Sequence, residues 1–226
     1  MDSWTEGREL AGNQASPGED TMTKIFWRAA STLLTLASIA HPLFSDTPDD
    51  AFQVSYAANL AVGFSNINIT NAGSVNGYEP TGDICVNIYV FAEDQQMISC
   101  CSCNLTPNHL QTVSVTDLIS NTLTPGAPSG ITVGLLATEN PTGGACDAGA
   151  IDHANLAAGM RAWGTVIHAA PGGGYSVTEN HFLPAQLGNS DELDKLGRYC
   201  GYIEADGSYY GICKSCSPGA AGAAKQ

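Results

Sequence analysis

A chain of 226 residues, 43% hydrophobic and only 13% charged, is long enough to bury its own core and too poor in charge for charge-driven disorder. Its formal net charge of -14, with no cluster of Lys or Arg, excludes a nucleic-acid or anionic-membrane partner held through a basic surface. With 25 Gly, 11 Pro and many β-branched residues, strands and turns are favoured over a helical bundle.

Near the N-terminus, Lys24 and Arg28 precede an apolar run from Ala29 to Ala40, and the polar stretch SDTPDD follows soon after. A basic flank, a short apolar stretch and a small-residue exit at Ser38 and Ala40 form the plan of an export signal. The run falls well short of the roughly 20 residues that span a bilayer, so no permanent membrane anchor is expected once it is cleaved. A buried helix is the competing reading, but such a helix would be apolar on one stripe and this run is apolar all round. Residues 1–21 are polar and unlike a signal, so residues 22–40 form the expected signal peptide and Met22 is an alternative start. Cleavage after Ala40 removes five acids and three bases, leaving 17 acids against 5 bases. A product this acidic is kept soluble by self-repulsion and suits cations, Ca²⁺ among them. The expected location is secreted, periplasmic or on the cell surface.

From residue 41 to 216 a single mainly β domain is expected, followed by a flexible tail at 217–226. The runs AFQVSYAANL and AVGFSNINIT alternate between apolar and polar residues and are bounded by Asn or Gly, which marks strands. After the turn-rich NAGSVNGYEPTGD comes the clearest strand, Ile84 to Phe91. Its set Ile84, Val86, Ile88 and Val90 is expected to face the core, with Cys85, Asn87, Tyr89 and Phe91 on the other side. A turn at 92–95 and a returning strand from Gln96 to Cys101 would make a hairpin that brings Cys85 level with Cys101 and Cys103. Further strands are expected at Gln111 to Val115, Ile131 to Ala137 and within RAWGTVIHA, with the Gly172 to Gly174 run as a turn before YSVTEN. One late helix is predicted: Asn189 or Ser190 caps it, Asp191 and Glu192 suit its positive end, and Leu193, Leu196 and Tyr199 recur at helical spacing. It should end near Cys200 and Gly201, with YIEADGSYYGIC forming a terminal hairpin about Asp206 and Gly207. The fold class is therefore a β-sandwich-like domain with one late α-helix, stapled by disulfides.

The eight cysteines, Cys85, Cys100, Cys101, Cys103, Cys146, Cys200, Cys213 and Cys216, all follow the signal. Export and an even count imply disulfides, with on the order of 100 pairings open. A bond between Cys100 and Cys101 is disfavoured because adjacent Cα atoms lie only about 3.8 Å apart. In an extended segment Cys100 faces one side while Cys101 and Cys103 face the other, so the cluster must staple in two directions. The competing reading is a thiolate zinc site, since CysCysSerCys and the Cys213 to Cys216 spacing offer close ligands.

No GxSxG elbow, HExxH, P-loop or strand-linked GxGxxG occurs, so no catalytic, cofactor-binding or metal-ligating residue is assigned and no cofactor is expected. His41, His109, His153, His168 and His181 are scattered; a Ser/His/Asp triad built around His153 or His168 stays open because triads are recognised by geometry. Glu139, Asp147 and Asp152 fit no EF-hand spacing and read as a solvated acidic loop, with Ca²⁺ binding the alternative. Trp163, Tyr202, Tyr209 and Tyr210 read as packing residues, with a sugar-stacking platform the alternative.

The blocks GDICVNIYVF, QQMISCCSCNLTPN, GMRAWGTVIH and CGYIEADGSYYGICKSC resemble a family of uncharacterised secreted bacterial proteins, over roughly Phe52 to the C-terminus. The resemblance implies export from a bacterial cell, and lends no activity, ligand or catalytic residue. It also weakens Asn68-Ile69-Thr70 and Asn104-Leu105-Thr106 as glycosylation sites. The leading expectation is a secreted or envelope-associated, non-enzymatic module with a structural or binding role. The alternatives are a secreted hydrolase with a dispersed site and a cysteine-based metal-binding protein. Self-association or attachment to the envelope is compatible with the first.

Overall fold

The computed structural model describes residues 50–61, 65–73, 82–186, 190–214 and 216. The expected signal region 1–40, the tail 217–226 and the candidate cap Asn189 lie outside the described residues.

The strands, in order, are β1 (Phe52–Ala58), β2 (Asn66–Asn71), β3 (Ile84–Phe91), β4 (Met97–Leu105), β5 (Leu110–Ser114), β6 (Gly130–Glu139), β7 (Met160–Ala169), β8 (Tyr175–His181) and β9 (Leu183–Pro184). A short helix α1 (Val115–Ile119) follows β5, and α2 (Ser190–Asp206) comes last. They form two antiparallel sheets, β4-β3-β6-β1-β9 and β5-β2-β7-β8.

The sheets pack as a sandwich whose interior is aliphatic. Ile84, Val86, Ile88 and Val90 of β3 are fully buried against a cluster that includes Ile67 and Ile69 of β2, Val113 of β5 and Met160 of β7. Full burial of a side chain of this size is worth about 1.5–3 kcal/mol, so this layer supplies most of the driving force. One polar side chain ties the layers together: Gln53 of β1 is buried and its Nε2 donates to the carbonyl of Met160 on β7 at 2.8 Å.

The second face of β3 is buried as well, which the alternation does not anticipate. Cys85, Asn87 and Tyr89 are all covered. Tyr89, Met97, Cys100 and Leu136 pack against Ala148 from the 140–158 segment and against Leu193, Cys200 and Ile203 of α2. The molecule thus has a third layer, a helix and a loop laid over the outer face of the five-stranded sheet. Asn87 is accommodated there because its Nδ2 donates to the Leu136 carbonyl at 3.2 Å and its Oδ1 accepts from Ser102 Oγ at 2.7 Å.

The late helix is longer than its sequence signals suggest. It begins at Ser190 and runs through Cys200 and Gly201 to Asp206, so the expected terminal hairpin does not form. The buried residues Leu193, Gly197, Cys200 and Ile203 continue one stripe at intervals of three and four, and this stripe governs the segment. YIEAD sets Ile203 and Ala205 between polar residues, which reads as a strand, but only Ile203 is buried. Beyond the helix the chain turns at Gly207 and lays Ile212 in a parallel bridge beside Cys100, covering the open edge of β4.

The hairpin of β3 and β4 forms as expected, but β4 extends four residues past Cys101. The cysteines pair as Cys85 with Cys146, Cys100 with Cys200, Cys101 with Cys213 and Cys103 with Cys216, at Cα separations of 5.5, 5.9, 5.4 and 5.2 Å. Cys85 is therefore not stapled to Cys101 or Cys103; in register it faces Asn104, and its bond reaches the loop after β6. The cluster does staple in two directions: Cys100 lies in the outer cluster, Cys101 and Cys103 in the sandwich interior. Every bridge joins β3 or β4 to a segment outside both sheets.

Candidate functional site

All eight cysteines are bonded in pairs, so the close-spaced thiolates that a zinc site requires are not present in this state. Cys100, Cys200 and Glu204 do bring ligand-type atoms within 4.8 Å of one another, but the two sulfurs are bonded to each other and neither is a thiolate.

The described histidines occupy four different elements. His109 lies 3.5 Å from Gln111 Oε1, His153 is 3.8 Å from the Asp194 carboxylate with both side chains exposed, and His181 is paired in register with Trp163. His168 is the nearest to a triad member, with Ser176 opposite it across the β7–β8 ladder and Asn59 Nδ2 3.3 Å from its Nδ1. With Asn59 donating, Nδ1 is the acceptor and Nε2 carries the proton. His41 lies outside the described residues.

The acidic loop does not gather its own carboxylates. Asp152 caps the short 3₁₀ turn at His153–Asn155, accepting from the Ala154 amide at 2.9 Å, and Glu139 is exposed at the end of β6. Asp147 instead meets Glu204 of α2. The Glu204 carboxyl is pushed up to about 7, first by burial of its tip and then by the Asp147 charge and a hydrogen bond with Asp147. Although Glu204 is exposed as a residue, its oxygens reach over Gly149 and lie 3.5 Å from Cys200 Sγ, which is where the desolvation arises. Beneath the pair, Tyr89 is sealed in the outer cluster with its hydroxyl donating to the Ala148 carbonyl at 2.9 Å. Burial, then Glu204 and Asp147, keep that phenol neutral. Glycines make the contact possible: a Cβ on Gly149 would lie 2.9 Å from Gly201 Cα, and one on Gly197 would lie 2.7 Å from Ile151 Cγ1. The spacing of Gly197 and Gly201 along one helix face is the signal in the sequence that marks this approach.

A second acid, Asp83, is buried beside Asn104 and Asn140. Asn104 turns its NH₂ to Asp83 Oδ2 at 3.3 Å and its oxygen toward Asn140, leaving Asp83 Oδ1 without a partner. Because the amide presents a donor and not an oxygen to the carboxylate, this is an anchor for the 140–146 loop and not a ligand set.

Among the described residues, a groove of about 510 Å³ lies at the C-terminal end of α2. It is lined by Phe91 and Met97 of the hairpin, by Leu123, and by Tyr199, Tyr202 and Ile203 of the helix. Gln95, Gln96 and Asp206 add the polar groups. Its size suits a small ligand or a side-chain anchor, in the usual range of about 300–1,000 Å³. Tyr202 is 64% exposed and Tyr209, in the turn beyond the helix, 90%. The expectation that Tyr202, Tyr209 and Tyr210 are packing residues is therefore corrected: all three present their rings to solvent. Trp163, by contrast, is partly buried in the four-stranded sheet.

The turn that carries Tyr209 is both strained and fixed. Ser208 and Tyr209 have φ of 50° and 70°, left-handed values that cost on the order of 1–3 kcal/mol each in a non-glycine residue. Asn121 Nδ2 donates to the Tyr209 carbonyl at 2.5 Å, Gly211 N donates to the Asn121 carbonyl at 2.6 Å, and Cys100 N donates to the Gly211 carbonyl at 2.8 Å. A solvent-exposed aromatic is thus held in place by the loop after α1 and by β4.

Among the described residues no helix is long and apolar enough to cross a membrane. Compared with protein-family models, with curated proteins and with solved structures, the chain gives no match.

Proposed function

We propose that this chain is an exported, non-enzymatic binding module of the bacterial cell exterior, and that its ligand enters the tyrosine-rimmed groove. The observation that carries the reading is a 510 Å³ apolar groove lined by the exposed Tyr199 and Tyr202 of α2, a helix that the Cys100–Cys200 disulfide fastens to β4. Exposed aromatic side chains on a soluble surface are costly unless something covers them, and preorganisation lowers the entropy lost when it does. Four disulfides agree with an oxidising compartment, and the signal-like residues 22–40 agree with export. The hydrolase reading has less support, because Asp147 and Glu204, the converging carboxylates, do not line the groove.

A fragment screen by NMR on the disulfide-bonded protein tests this reading. Hits should perturb Met97, Tyr199 and Tyr202. Perturbations centred on Asp147 and Glu204, or turnover of ester or glycoside substrates that Glu204→Gln abolishes, would replace it with the hydrolase. Export is tested separately by N-terminal sequencing of the protein recovered outside the cytoplasm, where His41 is the expected first residue and an intact Met1 the contrary result.

A further inference from the structure

Resting on the groove as the ligand site, we infer that it selects an organic ammonium cation: a positive nitrogen on an apolar body, taken up by the faces of Tyr199 and Tyr202 and the carboxylate of Asp206. The charge of the lining points one way. Asp206 is the one charged residue among the described residues that line the groove, and it forms no ion pair with another described residue.

The position of Asp206 makes that charge unusual. It is the last residue of α2, where the helix dipole is already negative. No basic residue occupies the last turn. Acids at a helix C-terminus are unfavourable and cations favourable there, by about 0.3–1 kcal/mol each at an exposed site. The fold therefore leaves a negative potential at one end of the groove with no counter-charge from the described residues. The excess of 17 acids over 5 bases after residue 40 adds a field that draws cations and repels anions.

The aromatic groups complete the match. Tyr199, Tyr202 and Asp206 follow one another at intervals of three and four and so share one helix face, spanning about 10 Å along the axis. Phe91 and Met97 of the hairpin also line the groove. Aromatic faces attract a cation through the ring quadrupole and its alkyl substituents by dispersion, whereas a neutral apolar ligand would leave Asp206 facing it unpaired. An anionic ligand meets repulsion from Asp206 and finds no basic partner in the lining.

The test uses choline and its neutral carbon isostere, 3,3-dimethylbutan-1-ol, titrated into the disulfide-bonded protein and followed by NMR at Tyr199, Tyr202 and Asp206. The expected result is saturable choline binding, at least tenfold tighter than that of the isostere and weakened by salt. Asp206→Asn should lower choline affinity about tenfold and leave the isostere unaffected. Tyr202→Phe should retain binding that Tyr202→Ala loses, which separates ring contact from loss of fold. Equal binding of choline and isostere, unchanged in Asp206→Asn, overturns the charge selection and leaves the groove as a ligand site. Tighter binding of a neutral sugar such as N-acetylglucosamine overturns it in favour of a glycan. Absence of any perturbation by choline, isostere and sugar overturns both the selection and the groove.

Discussion

The two faces of the five-stranded sheet are covered by different means. The inner face meets a second sheet through a broad, mostly aliphatic cluster built on Ile84, Val86, Ile88 and Val90, which also takes in Cys101 and Cys103. The outer face meets a helix and a loop through Tyr89, two glycines on α2 and a disulfide at Cys200. The difference teaches where covalent links are useful. A broad aliphatic interface gains free energy with each residue, whereas a thin layer built on small residues buries less and is stabilised by restricting the unfolded chain. The sequence separations of 61, 100, 112 and 113 make each closure entropically significant, roughly 2–4 kcal/mol. The groove belongs to the fastened layer: its helical wall is the segment that Cys200 ties to Cys100.

This contrast predicts a graded set of responses. The largest belongs to the inner face, where Ile88→Ala should cost about 2–5 kcal/mol in a denaturant melt, because a fully buried cavity forms between two rigid sheets. Next comes Cys100→Ala with Cys200→Ala, which should cost about 2–4 kcal/mol and raise hydrogen exchange across α2 while β2 and β7 keep their protection. Uniform loss of protection would show that the layers are not separable. Gly149→Ala should be smaller, about 1–3 kcal/mol, since a methyl group there meets Gly201 and the loop has to lift.

The smallest effect is in pH. With the Glu204 carboxyl raised to about 7 in the fold, the native state keeps a proton between roughly the ordinary glutamate range and neutrality that the unfolded chain releases. Stability from this group is therefore full in acid and declines as pH rises through that window. Glu204→Gln should flatten the decline, so its melting temperature exceeds that of the parent at pH 8 by more than at pH 5. A parent whose stability rises between pH 5 and 7, with no difference in the variant, would contradict the origin assigned to the shift.

Much of the sandwich was legible in the sequence because period-two alternation and turn residues act locally. β3 matches its expected bounds, and β1, β6 and β7 lie where the alternation puts them. The outer layer was not legible, for physical reasons that can be named. Tyr89 and Asn87 alternate with aliphatic residues as solvent-facing residues would, and Tyr89 is covered only by a loop about 60 residues later and a helix over 100 residues later. The five-residue α1 and two-residue β9 are too short to show a period. Gly201 resembles a helix stop, yet here it is a point of close approach to Gly149 in mid-helix. That misreading also hid the groove, because Tyr199, Tyr202 and Asp206 line up only when the helix continues to Asp206.

Under the proposed binding role, the disulfide-fastened outer layer serves to present the groove. Choline titration of the parent and of the Cys100→Ala, Cys200→Ala double variant, under conditions where the sandwich stays folded, tests it directly. Binding that is saturable in the parent and at least tenfold weaker in the variant is the predicted result. Equal affinity in the two, or binding in neither, would contradict it.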